Sequence, residues 1–446
     1  MSLWGPQTEL AAKLRVSNHD FPLAVIHALA AFKAEAAAVN AHLGVLTLTD
    51  DVVAHIVSAC NDVAAGLHDA EFIVDVFQTG SGTASNMNLN EVVAALANLV
   101  SETAASDVVN PNDHVNASQS SNDAMPTAVH LAAGILVHGR LLPMAEQLAQ
   151  ELRRLENDHR DTVKIGRTHL MDAAPVTLGQ EFGAMARVVE LGAERVDYAM
   201  DAVFELAVGG TATGTGLNAP QGFATAVVEA LARRTGLPWR VASNHFEAQG
   251  WKDGLVALSA ACRGIAVSLT KVANDIRWMA SGPVGGLAEI TVPTVHKGSS
   301  IMAGKVNPVI PEIVAQVCAQ IIGNDLTVAY AGASGSFELN TMLPVIADNT
   351  LESITILSNA MDLLRSECLE GLRADAKILA TRVERSAMLA TALVPRLGYQ
   401  IVEQLVGDAA AQGVGIRELA VRRGLISASD AQSLLGPLEM TRVRGA

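Results

Sequence analysis

Charge is what this chain has least of. Only 17% of its 446 residues are charged while 50% are hydrophobic, so there is ample material for a large core. A surface so lean in ions, and so rich in Ala and Gly, reads as one partly covered by subunit contacts. Positive charge is scarcer still. The 31 Lys and Arg face 46 Asp and Glu, and a formal net charge of −15 lacks the basic footprint that a nucleic-acid partner demands. Cysteine is sparse: Cys60, Cys262, Cys318 and Cys368 lie far apart, without the paired spacing of a zinc site or redox motif. Reduced thiols in a cytoplasmic protein are the expectation. No uninterrupted apolar run approaches the ~18 residues of a membrane span, so no membrane partner is expected. The opening MSLWGPQTELAAK has no basic stretch followed by an apolar one, so it does not read as a secretory signal. Alternating strand patterns are few, and no internal repeat or low-complexity tract is evident.

What is present is helical periodicity. From 255 to 279 the apolar positions are Leu255, Leu258, Cys262, Ile265, Leu269, Val272, Ile276 and Met279, at spacings of three and four. Alanines flank this seam, so the helix can pack on several sides at once, as in the middle of a bundle. Similar patterns run from about 177 to 205 and from 313 to 330, and Asn349 to Glu352 has the form of a capping box that would open a further helix. The fold class is therefore all-α around a central bundle of long helices. Composition divides the chain into an N-terminal domain (1–117), a central helical-bundle domain (118–370) and a small C-terminal helical domain (371–446), where charge rises.

Four polar clusters break the hydrophobic pattern: QTGSGTASNMN (78–88), SQSSND (118–123), GRTHLMDA (166–173) and GSSIMAGKVNP (298–308). Each supplies short hydroxyl or amide donors. Two adjoin expected helix N-termini, where unpaired N–H groups attract anions. Singly, each is more often a cap, turn or surface loop than a site; four in a chain otherwise poor in polar runs shift that balance. Two lookalikes fall away. GSSIMAGK has five residues between Gly298 and Gly304 where a P-loop has four, and Val306 stands where a magnesium-binding Ser or Thr belongs. GTGLNA (214–219) lacks the βαβ context of a dinucleotide fingerprint and runs into Pro220. His27, His55 and His130 fall in helical segments and read as packing residues.

The segment GSSIMAGKVNP resembles the GSSxMxxKxN signature of the fumarase/aspartase superfamily, and the other three clusters resemble its remaining blocks in the right order. The likeness runs from LWGPQT through FEAQ (246–249), KVANDIRWMASGP (271–283) and GSFELN (335–340), and is greatest to class II fumarate hydratase. Gly80-Ser81-Gly82-Thr83, and Gly304 before Lys305, follow the fumarase pattern where aspartases tend to have Ala.

The resemblance implies reversible hydration of fumarate to (S)-malate, in which most of the catalysis is electrostatic stabilisation of an aci-carboxylate dianion. It implies Ser299 as the base, His169 as its partner for water or the leaving hydroxyl, and Glu312 as the group that orients His169. Substrate-binding positions carried over are Ser81, Gly82, Thr83, Ser120, Ser121, Asn122, Thr168, Ser300, Lys305, Val306 and Asn307. Asn110, Pro111, Asn112 and Asp113 match a second dicarboxylate site, with Asn110 in place of the family's His. Further departures are Ala303 within Met302-Ala303-Gly304, the pair His296-Lys297, and a start almost at LWGPQT. The resemblance implies no metal and no organic cofactor, a small dicarboxylate substrate, and a homotetramer whose active sites are shared between subunits. Aspartate ammonia-lyase or another fumarate-releasing lyase is the alternative within the superfamily, and a catalytically silent helical scaffold the alternative outside enzymes.

Overall fold

The computed structural model describes residues 2–100, 108–295 and 300–442. It is predominantly helical, with only short strands, in agreement with the all-α reading. The N-terminal part forms α1 (Pro6–Ala12), α2 (Leu23–His42), α3 (Asp50–Ala64), α4 (Thr83–Val100) and α5 (Ser121–Leu136), the last running through a π-turn into α6 (Leu142–Asp158). Then come α7 (Leu178–Val203), α8 (Phe223–Thr235), α9 (His245–Gly250), α10 (Asp253–Met279), α11 (Val309–Gly332) and α12 (Leu343–Leu364). Shorter helices close the chain: α13 (Ala376–Arg385), α14 (Val394–Leu397), α15 (Tyr399–Gln412), α16 (Ile416–Arg422), α17 (Ala428–Leu434) and α18 (Pro437–Met440). Strands occur in pairs: β1 (Val163–Thr168) with β2 (Met171–Thr177), β3 (Glu205–Leu206) with β4 (Arg240–Val241), and β5 (Ile290–Thr291) with β6 (Arg373–Ala374).

The apolar periodicity accounts for the long helices. All eight seam positions of α10, from Leu255 to Met279, are buried, and the patterns near 177–205 and 313–330 become α7 and α11. The chain divides into two compact units. The first comprises residues 1–143, 192–267 and 317–359, the second 144–191, 268–316 and 360–446. In the first unit α2 packs on α3, α5 and α8, and α3 on α4. Val25, Ile26, Leu29 and Phe32 of α2 are fully enclosed there. In the second, the β1–β2 hairpin packs on α13, on the 3-10 turn Ala387–Leu393 and on α18. Leu389, Leu393, Leu405 and Leu435 form its core together with Ile165 of β1.

Two expectations are corrected. Asn349 opens no helix. It lies inside α12 and donates from Nδ2 to the Val345 carbonyl, 2.9 Å away. The helix starts six residues earlier, at Leu343, with Pro344 in its first turn where a missing N–H costs nothing. The second concerns apolar length. Three helical stretches, 23–42, 121–158 and 253–279, are long and apolar enough to cross a membrane by length and composition. The uninterrupted runs looked short because single ions break them, and the fold pairs those ions internally: Lys33 of α2 with amide oxygens, Arg263 of α10 with Asp325.

Candidate functional site

In the first unit two of the polar clusters meet. The Gly80–Thr83 turn leads into α4, and Ser120 caps α5, where its Oγ accepts from Asn122 N (3.2 Å) and Asp123 Oδ1 accepts from Ser120 N (2.9 Å). This reciprocal pairing is a capping box and fixes where the first turn of α5 begins. Across the two helix starts the hydroxyls form a chain: Ser81 Oγ lies 2.7 Å from Thr83 Oγ1, which lies 2.6 Å from Ser121 Oγ. Asn122 reaches the Ala212 carbonyl at 2.8 Å. Gly82 sits at φ +77, a conformation that L side chains rarely adopt, and a Cβ there would come within 2.8 Å of Met125 Cε, so that side chain would also have to shift. Beneath the chain, Asp123 is buried and accepts from the N–H groups of Gly209 (3.0 Å) and Thr211 (2.9 Å). Burial raises its pKa, against these hydrogen bonds and the Lys33 charge, which lower it.

The Asn110–Asp113 cluster lies in the same unit. Asn110 caps a π-turn, Pro111–Val115, by accepting from Asn112 N (2.8 Å) and Asp113 N (3.1 Å), and its own N–H donates to His114 Nδ1 (2.9 Å).

The second unit carries the other clusters. Thr168 ends β1, and His169 with Leu170 forms the two-residue connection to β2, Thr168 pairing with Met171. Both connecting residues have positive φ, 56° and 62°, the pattern of a tight primed hairpin turn that non-glycine residues enter reluctantly. The result presents an exposed imidazole on a short, rigid ribbon. Ser300, Lys305 and Val306 are exposed, Asn307 is half-buried, and Gly304 turns the loop at φ +77. Glu312, half-buried, stands in the first turn of α11, directly after that loop. Ser299, with His296 and Lys297, lies outside the described residues. Among the described residues no group of three or more His, Cys, Asp or Glu is placed to hold a metal ion.

The comparisons with known proteins carry this arrangement further. A family model described as lyase matches residues 3–323, and one described as fumarase C C-terminus matches residues 389–442. The class II fumarate hydratase of Mycobacterium tuberculosis is 48% identical over 427 residues, covering 95% of this chain and 89% of that protein. The chain belongs to the class II fumarate hydratase family. It is a lyase. The family's enzyme from Ralstonia nicotianae is 44% identical, covering 98% of this chain and 95% of its own length. The crystal structure of recombinant class II fumarase from Schistosoma mansoni superposes with a TM-score of 0.94 at 34% identity, covering 99% of this chain and 96% of that one.

Two sets of residues that support the clusters went unread in the sequence. One lies beneath the His169 hairpin. Lys164 of β1 is almost wholly buried and donates to both carboxylate oxygens of Glu181, at 2.8 and 2.6 Å. Its Nζ also stands 2.9 Å from Glu289 Oε2, so the one ammonium is paired with two carboxylates. Arg167, the neighbour of Thr168, donates to Glu289 Oε1 at 2.6 Å. Asp172 of β2 accepts from Ser386 Oγ, also at 2.6 Å. The other set is the amide cluster around Lys33 and Asn116. The available signal was the same in both: a lone cation in an apolar helix or strand has to be paired somewhere.

Proposed function

We propose that the chain catalyses the reversible hydration of fumarate to (S)-malate, with the residues in the roles the family pattern gives them. Ser299 takes the proton from the carbon beside a carboxylate. That carboxylate then becomes an aci-carboxylate dianion, and Lys305 and Asn307 bind it, so the ammonium faces charge where it develops. His169, oriented by Glu312, activates water in one direction and protonates the departing hydroxyl in the other. Ser81, Thr83, Ser120, Ser121, Asn122, Thr168 and Ser300 hold the carboxylates, with the backbone of Gly82 and Val306. Asn110, Pro111, Asn112 and Asp113 form a second dicarboxylate position.

The observation that carries this reading is the hydroxyl chain Ser81–Thr83–Ser121 across two helix N-termini. Helix N-termini favour anions, and three hydroxyls there can exchange their mutual hydrogen bonds for carboxylate oxygens. The reading includes a homotetramer whose active sites combine blocks from different subunits. Apolar side chains on the long helices support it: Tyr198 of α7 is 86% exposed, and Leu326 and Tyr330 of α11 are each 73% exposed. Three domains, at 1–117, 118–370 and 371–446, and a cytoplasmic place in the tricarboxylic acid cycle belong to the same proposal. Four buried cysteines, none joined in a disulfide, accord with a reducing compartment.

The test is Ser299→Ala, assayed by fumarate absorbance with malate and with aspartate. Loss of a base that no neighbour replaces lowers malate turnover by about 10⁴-fold or more. Near-normal turnover refutes the assigned base. Unmodified protein that acts on aspartate and ignores malate refutes the hydratase reading in favour of an ammonia-lyase, and one inert toward both favours a silent scaffold.

A further inference from the structure

Lys33 lies in the middle of α2 with no exposed surface. An enclosed ammonium needs partners, and its partners here are neutral: Asn116 Oδ1 at 3.1 Å and Gln119 Oε1 at 3.0 Å. The same Asn116 oxygen accepts from Asn86 Nδ2 (3.1 Å) and Asn90 Nδ2 (3.2 Å), one turn apart on α4. Asn116 Nδ2 donates on to Gln119 O at 3.2 Å. Gln119 Nε2 in turn donates to the carbonyls of Val115 (3.2 Å) and Ala117 (3.0 Å). Two turns along α2 from Lys33, Asn40 donates to Ala117 O (2.9 Å) and accepts from Ser118 Oγ (2.7 Å). The segment 115–119 is therefore clamped between α2 and α4 by side chains alone, and it contains Ser118 at φ 61, a conformation it would not hold unaided.

That segment delivers Ser120, Ser121 and Asn122, and α4 delivers Thr83. We propose that Lys33 is a positioning residue for the hydration reaction: its ammonium gathers Asn116 and Gln119 and so sets the distance between the Ser120–Asn122 turn and Thr83. The inference rests on the reading of those residues as substrate-binding. A cation is suited to the place because one amide oxygen with two lone pairs receives three donors, and charge strengthens such a hydrogen bond. Among the charged and titratable groups around it, Asp123 of α5 and Cys60 of α3 face it. The amides Asn86 and Asn90 face it from α4, and Arg234 of α8 is held by Glu35 and Asn61. Burial lowers the ammonium's pKa to about 7, against the opposing effects of Cys60 and Asp123. The clamp thus loosens as pH rises through neutrality.

Lys33→Met keeps the length of the side chain and removes charge and donors. The expected result is a KM for malate raised about tenfold or more, the scale of a lost charge-assisted hydrogen bond, with a smaller change in kcat. The unmodified enzyme's KM rises above pH 7, and this rise is absent in the variant. A merely structural role would reduce folded protein and leave KM and its pH profile where they were. A folded Lys33→Met protein with unchanged KM at every pH overturns the inference. Should that variant fail to fold, Gln119→Met removes one of the two acceptors at a less buried position and should raise KM several-fold; an unchanged KM there is equally fatal. Ser121→Ala, run alongside, separates the two layers. If it leaves KM untouched, the substrate-binding reading itself is wrong. If it raises KM while neither Lys33→Met nor Gln119→Met does, only the role of Lys33 falls.

Discussion

Lys164→Met is expected to be among the most destabilising single changes outside the reacting groups. The side chain is enclosed and lies against two carboxylates, Glu181 and Glu289, of which Glu289 is as deeply buried as Lys164 itself. Removing one partner of a buried ion pair typically costs about 3–5 kcal/mol, because the charge left behind stays desolvated. Two features move the figure toward the lower end. Arg167 continues to compensate Glu289. Glu181 is about a third exposed and can take up a proton, its pKa already raised by burial. About 3 kcal/mol at pH 8 is the result. The sign of the pH dependence follows. A carboxyl whose folded pKa is raised holds its proton more firmly in the folded state, so stability is lost as pH rises above its unfolded value and recovered as pH falls. The deficit of Lys164→Met should therefore shrink toward pH 5. Urea unfolding followed by circular dichroism at fixed protein concentration measures it. A companion variant, Lys164→Met with Glu181→Leu, should recover much of the loss, since a buried pair exchanged for apolar groups is often neutral. A loss below about 0.5 kcal/mol at pH 8, within the range of ordinary surface changes, would refute the claim that these charges depend on one another.

Two other outcomes are expected. Gly80→Ala places a Cβ 1.8 Å from the Thr341 carbonyl oxygen, which is backbone and cannot swing aside, so it should destabilise by at least about 1–3 kcal/mol and raise KM through the adjoining Ser81. Gly139→Ala, with nothing within 4 Å of the added carbon, serves as the control in the same melting and kinetic assays. Lys252, buried and donating to the carbonyls of Ala248, Gln249 and Trp251, has its pKa lowered by burial to about 7. Its folded form binds fewer protons than its unfolded form above pH 7, so the stability of the wild type relative to Lys252→Met should rise by up to ~1.4 kcal/mol per pH unit between pH 7 and 9. Parallel stability curves for the two proteins would contradict this.

Much of the fold was legible because its long helices are periodic. The α10 seam could be read residue by residue, since burying a stripe every three or four positions is what makes such a helix pack. Asn349 was misread because a capping box is a four-residue signal, and Asn340, whose side chain accepts from Met342 N, together with Pro344 decides the start of α12 instead. At the site, the hydroxyl clusters stood out because polar runs are rare here. Their meeting through Thr83 and Ser121, thirty-eight positions apart, is a tertiary fact that no local pattern encodes. The same holds for Lys164 and Lys33. Each stood in plain view as a cation among apolar residues, but Glu289 and Asn116 are distant in sequence, and only packing names a partner.

The four cysteines have a practical consequence. Every native thiol is buried and none is joined in a disulfide, and burial pushes those of Cys60, Cys262 and Cys368 up to about 12, far from the thiolate form that reacts. A cysteine introduced at an exposed position such as Asp161 would then be the one fast target for a maleimide dye. Fluorescent or spin labels could be attached to the folded enzyme at a chosen place without first stripping the chain of its own sulfur.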